Sequence, residues 1–241
     1  ETVIDHLIEL RQRLLYSLVA LILVFFGTYY FAEEIYGFLV RPLADQFDGE
    51  EGRRMIFTGL TEAFFTYIKV AFFAAMFLSF PIIANQIYKF VAPGLYTNEK
   101  GAFLPYLIAS PVLFFLGGAM LYFLILPLAI NFFVSFETPD GAGGMAIQLE
   151  AKLSEYLSLI MKLIFAFGLF FQMPVAISLC ARAGLVSSET LIKRRKYAVV
   201  IMFVLAAVLT PPDVISQLGL GLPGLILYEI SIHLAKLVER K

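Results

Sequence analysis

The sequence is poor in the side chains on which most enzymes and metal proteins depend. Its 241 residues include one cysteine and two histidines. The lone Cys180 cannot form an intrachain disulfide, and neither His6 nor His233 has the spacing of a metal site. The serines of the apolar segments lack the glycine-flanked turn that presents a catalytic nucleophile. We therefore expect a protein that is not an enzyme and that needs no metal or other cofactor.

Charge is scarce as well. The chain has 18 basic and 19 acidic residues, and this balance gives no reason to expect nucleic-acid binding. By contrast, 60% of the residues are hydrophobic and the mean hydropathy is +0.85. Such a composition is typical of a chain that crosses a lipid bilayer several times.

Six apolar segments predict six transmembrane helices, because a hydrocarbon core of ~30 Å needs ~20 helical residues. The predicted spans are residues 13–32, 64–88, 103–132, 157–181, 197–210 and 214–235. The fifth span is short, and the sixth begins with a glycine-rich stretch around Pro223 that disfavours helix. We expect an all-α fold that forms a single transmembrane domain, residues 1–241, with short fifth and sixth helices joined by a hairpin at Pro211, Pro212 and Asp213.

The basic residues orient the chain in the membrane. Twelve of the 18 Lys and Arg residues lie on the side of the two termini, and four lie in the opposite loops. Because cytoplasmic loops carry the excess of basic residues, we expect both termini in the cytoplasm and the hairpin at Pro211 outside.

The second and fourth spans share a pattern at a constant offset. The matching pairs are Glu62 and Glu155, Lys69 and Lys162, Pro81 and Pro174, and Lys89 and Arg182. One interpretation is a duplication that lines a cavity, as in a secondary transporter of a small solute. The other is that two helices crossing a membrane in the same direction need similar interface charges.

Two polar residues inside the predicted spans are candidates for a functional site. An unpaired amide in hydrocarbon costs several kcal/mol, so Gln172 should face the protein interior or a wet cavity, beside a bend at Pro174. The same reasoning applies to Glu229, which lies nearer the cytoplasmic end of its span and should have a basic partner.

Two further carboxylates, Glu9 and Glu99, lie on the predicted cytoplasmic surface. Arginine pairs with a carboxylate through two parallel hydrogen bonds, so two such groups suit a ligand with two guanidinium groups. The alternative is that Glu9 pairs with Arg13 one turn later and that Glu99 is solvated.

Four motifs add a family resemblance. They begin at His6 (His-Leu-Ile-Glu-Leu-Arg), Phe90 (Phe-Val-Ala-Pro-Gly-Leu-Tyr), Phe171 (Phe-x-Met-Pro-Val) and Leu209 (Leu-Thr-Pro-Pro-Asp). In this order they closely resemble the TatC family, the multispanning receptor of the twin-arginine protein translocase. The resemblance covers nearly the whole chain. It implies six helices in a cupped arrangement in the cytoplasmic (inner) membrane of a prokaryote.

The resemblance also implies a function. The cytoplasmic face would bind the Arg-Arg motif of signal peptides on folded cargo through Glu9 and Glu99, with Leu10, Arg11 and Phe90 beside them. Transport would draw on the proton-motive force. Expected partners are single-span TatA-type and TatB-type proteins, and further copies of the chain itself by self-association.

The chain departs from the family pattern at one position. The family commonly has an acidic residue where this chain has Gln172. An amide does not titrate in the physiological range, so this position cannot relay protons here. Gln172 keeps the capacity to hydrogen-bond a polar partner helix.

Overall fold

The computed structural model describes residues 3–47, 52–95, 104–138, 141 and 143–239. In these ranges the chain forms ten α-helices and two isolated β-bridges, so the predicted all-α fold is confirmed. The helices are α1 (Val3–Tyr30), α2 (Ala32–Gln46), α3 (Glu62–Leu95), α4 (Leu104–Met120), α5 (Leu126–Val134), α6 (Leu153–Phe170), α7 (Met173–Arg182), α8 (Ser188–Lys193), α9 (Arg195–Leu209) and α10 (Val214–Glu239).

Five helical runs of the described chain are long and apolar enough to cross a membrane. They are Ile4–Tyr30, Glu62–Phe90, Leu104–Val134, Leu153–Arg182 and Val214–Glu239. The predicted fifth span corresponds to α9, which has 15 residues and is therefore about 22 Å long at 1.5 Å per residue. This length falls short of the ~30 Å hydrocarbon core.

The helix at the predicted sixth span is longer than we expected. α10 has 26 residues and continues through Gly219, Gly221 and Pro223. A Cβ at Gly221 would lie 2.8 Å from the Phe203 ring, and one at Gly219 would lie 2.9 Å from Ile125. The glycines thus admit neighbouring side chains, and this close packing offsets their helix-propensity cost of about 1 kcal/mol each.

Two of the membrane-spanning runs are interrupted near prolines. A π-helical segment, Leu121–Ile125, joins α4 to α5 just before Pro127. α6 ends at Phe170 and α7 begins at Met173, with Pro174 in the first turn of α7. Proline lacks the N–H that an uninterrupted helix requires, so each run changes its hydrogen-bond pattern there.

α2 is tied to the bundle through its own proline. Pro42 cannot donate to the carbonyl of Phe38, and the Tyr122 hydroxyl donates to that carbonyl instead, at 2.6 Å. Tyr156 donates to the next carbonyl, that of Leu39, at 3.1 Å. Two tyrosines from the core helices therefore fix the position of α2.

The loops after α2 and α5 are joined by an ion pair. Arg53 donates two hydrogen bonds to the carboxylate of Glu137, at 2.6 and 2.7 Å, and its guanidinium lies 4.1 Å from the centre of the Phe47 ring. The backbone N–H of Leu149 donates to the same carboxylate at 2.7 Å. The Arg53 hydrogen bonds, followed by that from Leu149, lower the pKa of Glu137 to about 2.

Candidate functional site

The first group of candidate residues lies where the start of α1 packs against the end of α3. Arg13 donates to the Glu9 carboxylate at 3.0 Å and to the side-chain oxygen of Gln86 at 3.3 Å. Both members of the ion pair are about a quarter exposed. Glu9 is therefore held in place on α1 by a residue that also connects α1 to α3. Glu9 thus forms the ion pair with Arg13 that the four-residue spacing indicates.

An aromatic contact joins the same two helices one turn closer to the amino terminus. The His6 ring stacks on Phe90, with 4.3 Å between the ring centres and 26° between the planes. Leu10 is half-buried beside this contact and Arg11 is exposed. We call His6, Glu9, Leu10, Arg11 and Phe90 the α1–α3 patch.

The second predicted carboxylate, Glu99, lies outside the described residues. α3 is described as far as Leu95, four residues before it. The proximity of Glu9 and Glu99 therefore stays a prediction. The stacking of His6 on Phe90 brings the α1–α3 patch to the end of α3 from which the chain continues to Glu99.

Gln172 lies in the break between α6 and α7 and bonds to a single residue of α4. Its Oε1 accepts from the Ser110 hydroxyl, and its Nε2 donates to the Ser110 carbonyl at 2.9 Å. A second polar bridge joins the hydroxyls of Tyr106 and Ser178, 3.0 Å apart. The amide is thus paired as its burial requires, and both bridges fasten α7 to α4.

A mainly apolar cavity of about 410 Å³ adjoins this amide. Phe80 and Tyr88 of α3 line one side, and Leu179 and Cys180 of α7 line the other. The half-buried Cys180 thiol is therefore a natural probe of the cavity.

The remaining predicted residues have structural partners. Arg195 donates to the Glu229 carboxylate at 2.7 Å, so the basic partner expected for Glu229 is present. At the hairpin, Pro211 and Pro212 follow the end of α9, and Asp213 accepts from the Ser216 N–H at 2.7 Å. Asp213 thus caps the amino end of α10. Glu229 and the hairpin lie in different parts of the fold from the α1–α3 patch.

Three residues that organise these sites could not be identified from the sequence. His6 lacks the spacing of a metal site, and neither Gln86 nor Ser110 stands in a distinguishing pattern. All three act through a partner far away in sequence, and a single sequence does not contain that information. The one local signal was the four-residue spacing of Glu9 and Arg13, which is typical of an ion pair on a helix surface.

Similarity to known proteins identifies the family of this chain. The family model for the Sec-independent protein translocase protein (TatC) matches residues 5–223. The chain belongs to the TatC family. It is 46% identical to TatC of Magnetococcus marinus over 238 residues, covering 99% of this chain and 85% of that protein. It is 40% identical to TatC of Escherichia coli (strain K12) over 236 residues, covering 98% of this chain and 88% of that protein.

The fold agrees with a solved TatC structure. A crystal structure of the twin-arginine translocase receptor TatC superposes with a TM-score of 0.80 at 36% identity, covering 97% of this chain and 99% of that one. TatC proteins are components of a protein translocase and not enzymes, and this chain is a multi-pass membrane protein of that family. The alternative of a small-solute transporter has no support among these relatives.

Proposed function

We propose that this TatC-family protein captures the Arg-Arg motif of signal peptides on folded cargo at the α1–α3 patch, with Glu99 completing the site. The observation that supports this proposal most directly is the stacking of His6 on Phe90. It joins the helix that carries Glu9 to the end of α3 from which the chain continues to Glu99.

The chemistry of the patch suits a guanidinium ligand. Glu9 is partly exposed, and one of its two oxygens is bonded to Arg13. A carboxylate has about four acceptor positions, so an arriving guanidinium can bond to Glu9 before it replaces Arg13. Leu10 and Phe90 supply apolar surface for the side chains beside the two arginines.

The wider setting follows from the family and from the charge pattern. We propose that the protein lies in the cytoplasmic membrane of a prokaryote with both termini in the cytoplasm. Single-span TatA-type and TatB-type proteins would assemble with it and with further copies of the chain, and the proton-motive force would drive export. Gln172 and Glu229 are the intramembrane polar groups that such partner helices could approach.

Binding of matched signal peptides tests the receptor role. The affinity of purified protein in lipid nanodiscs is measured for an Arg-Arg peptide and for its Lys-Lys variant, which keeps the charge but loses bidentate geometry. We expect the Arg-Arg peptide to bind about tenfold more tightly, which corresponds to ~1.4 kcal/mol. Equal affinities would contradict the proposal.

A pair of variants locates the site. Glu9→Gln should remove most of the preference for the Arg-Arg peptide. Glu189→Gln is the matched control, because Glu189 also forms an ion pair four residues along its helix, with Lys193 at 2.7 Å. The control should keep the preference. If Glu9→Gln bound both peptides as the unmodified protein does, Glu9 would lie outside the site.

A further inference from the structure

A large groove opens between α7 and α9, beside the basic run at residues 193–196. Its volume is about 1110 Å³, above the ~300–1,000 Å³ of pockets that hold drug-sized ligands. The lining is mostly apolar and includes Met173, Ile177, Leu185, Ile201, Met202 and Tyr228. Such a groove suits a ligand with long hydrocarbon chains.

One end of the groove is cationic. Arg194 lines it together with the hydroxyl-bearing Ser187 and Thr190. Of the nearby acidic groups, Glu189 pairs with Lys193 and Glu229 with Arg195, both at 2.7 Å, and Glu239 accepts hydrogen bonds from the backbone N–H and the hydroxyl of Ser188. Within the part of the chain that the structure describes, Arg194 and Lys196 form no ion pair with a carboxylate. The groove therefore combines an apolar body with a cationic end at Arg194.

The position of these cations on the helix strengthens the positive potential at this end of the groove. Arg194, Arg195 and Lys196 lie at the amino end of α9, where the helix dipole is positive and where cations are disfavoured. No side chain of the described residues caps this helix end. An anion bound beside Arg194 would offset both the basic residues and the dipole.

We infer that the groove binds one anionic phospholipid, with its phosphate at Arg194 and its acyl chains between α7 and α9. Basic pockets between transmembrane helices are typical sites for anionic headgroups. The short α9 adds a reason: at about 22 Å it does not match a ~30 Å hydrocarbon core, so lipid beside it must adapt. A lipid held by Arg194 would occupy the region where the bilayer adapts to the short helix. The inference does not rest on the proposed receptor function.

A single tryptophan tests this binding, because the chain has none. Ile201→Trp places the fluorophore in the groove at a side chain that is 54% exposed. Val200→Trp is the matched control, since Val200 is 61% exposed on the same helix but does not line the groove. Each variant is reconstituted in phosphatidylcholine nanodiscs that contain a fixed fraction of brominated phosphatidylglycerol or of brominated phosphatidylcholine.

The relative quenching by the two lipids is the measured quantity. At position 201 we expect brominated phosphatidylglycerol to associate about five-fold more strongly than brominated phosphatidylcholine, because one basic residue contributes roughly this much to the binding of an anionic lipid. At position 200 we expect the two lipids to associate equally. Arg194→Gln should bring the preference at position 201 close to one. Inorganic phosphate should leave the quenching unchanged, because the site takes a lipid and not a free anion.

Three outcomes would overturn the inference. Equal quenching by the two lipids at position 201 would show that the groove does not select an anionic headgroup. An equal preference at positions 200 and 201 would assign the effect to the general lipid surface. Displacement of the brominated lipid by an apolar helical peptide, without a preference for phosphatidylglycerol, would assign the groove to a polypeptide.

Discussion

Replacing Arg53 with glutamine is expected to loosen the junction between the two loops that follow α2 and α5. Arg53 and Glu137 share two hydrogen bonds of 2.6 and 2.7 Å, and their side chains are only 15% and 13% exposed. A hydrogen bond to a charged group contributes about 1.5–3 kcal/mol. Because the pair lies near the surface, we expect the free energy of local opening to fall by about 2 kcal/mol when the whole pair is lost. Local opening should then become about 30-fold more frequent.

Hydrogen exchange at the backbone N–H of Leu149 measures this opening, because that group donates to the Glu137 carboxylate at 2.7 Å. Arg54→Gln is the matched control, since Arg54 is 74% exposed and lies 3.9 Å from its partner Glu150. Unchanged exchange at Leu149 in the Arg53 variant would refute the reasoning. So would an equal acceleration in both variants.

The effect should depend on pH in a defined direction. The pKa of Glu137 is lowered from 4.5 to about 2 in the folded protein, first by Arg53. A carboxyl group whose pKa is lower in the folded state stabilises that state above its unfolded pKa and loses this contribution as the pH falls through the folded pKa. The difference in exchange between the unmodified protein and the Arg53 variant should therefore be constant above about pH 4.5 and shrink towards pH 2.

Two substitutions and one labelling experiment test the membrane-spanning helices and the cavity beside Gln172. Gln172→Glu should lower the thermal unfolding temperature more at pH 8 than at pH 5, because only a protonated carboxyl keeps a donor for the Ser110 carbonyl; a shift independent of pH would contradict this. Gly168→Val should cost about 2 kcal/mol or more in unfolding free energy, since a Cβ there lies 2.6 Å from a buried phenylalanine ring, whereas Gly27→Val, with open space around it, should cost little. Cys180 should react with N-ethylmaleimide and be protected by a bound Arg-Arg signal peptide, because Tyr88, which lines the same cavity, lies two residues before Phe90 of the α1–α3 patch; labelling that the peptide leaves unchanged would separate the cavity from the binding site.

The all-α fold could be predicted because hydrophobic runs and their lengths are local properties of the sequence. The break beside Gln172 was also predictable, since Pro174 acts on its own helix. The length of α10 was not. Its glycines disfavour helix locally, and only the side chains of Phe203 and Ile125, which come from other parts of the chain, show why the helix continues.

The candidate site, like the fold, could be predicted only in part. The composition offered no reason to expect a metal site or nucleic-acid binding, and the spacing of Glu9 and Arg13 indicated their ion pair. The partner of Gln172 could not be predicted, because Ser110 lies 62 residues earlier in the chain. Serine is common in membrane helices, and its hydroxyl often bonds to its own backbone. The bond to Gln172 therefore depends on how α4 packs against the break between α6 and α7.

The ion pair that Glu9 already makes does not exclude it as the acceptor for a signal peptide. Pairs of this spacing on a partly exposed helix stabilise by only about 0.3–0.5 kcal/mol. A bidentate, charge-assisted contact with an arriving arginine contributes about 1.5–3 kcal/mol. The exchange of one cation for the other is therefore favourable by a small margin. Arg13 also donates to Gln86, and this bond would keep the two helices joined after Glu9 has exchanged Arg13 for the ligand. A receptor that must later release its cargo benefits from a margin of this size, because every additional 1.4 kcal/mol would slow release about tenfold.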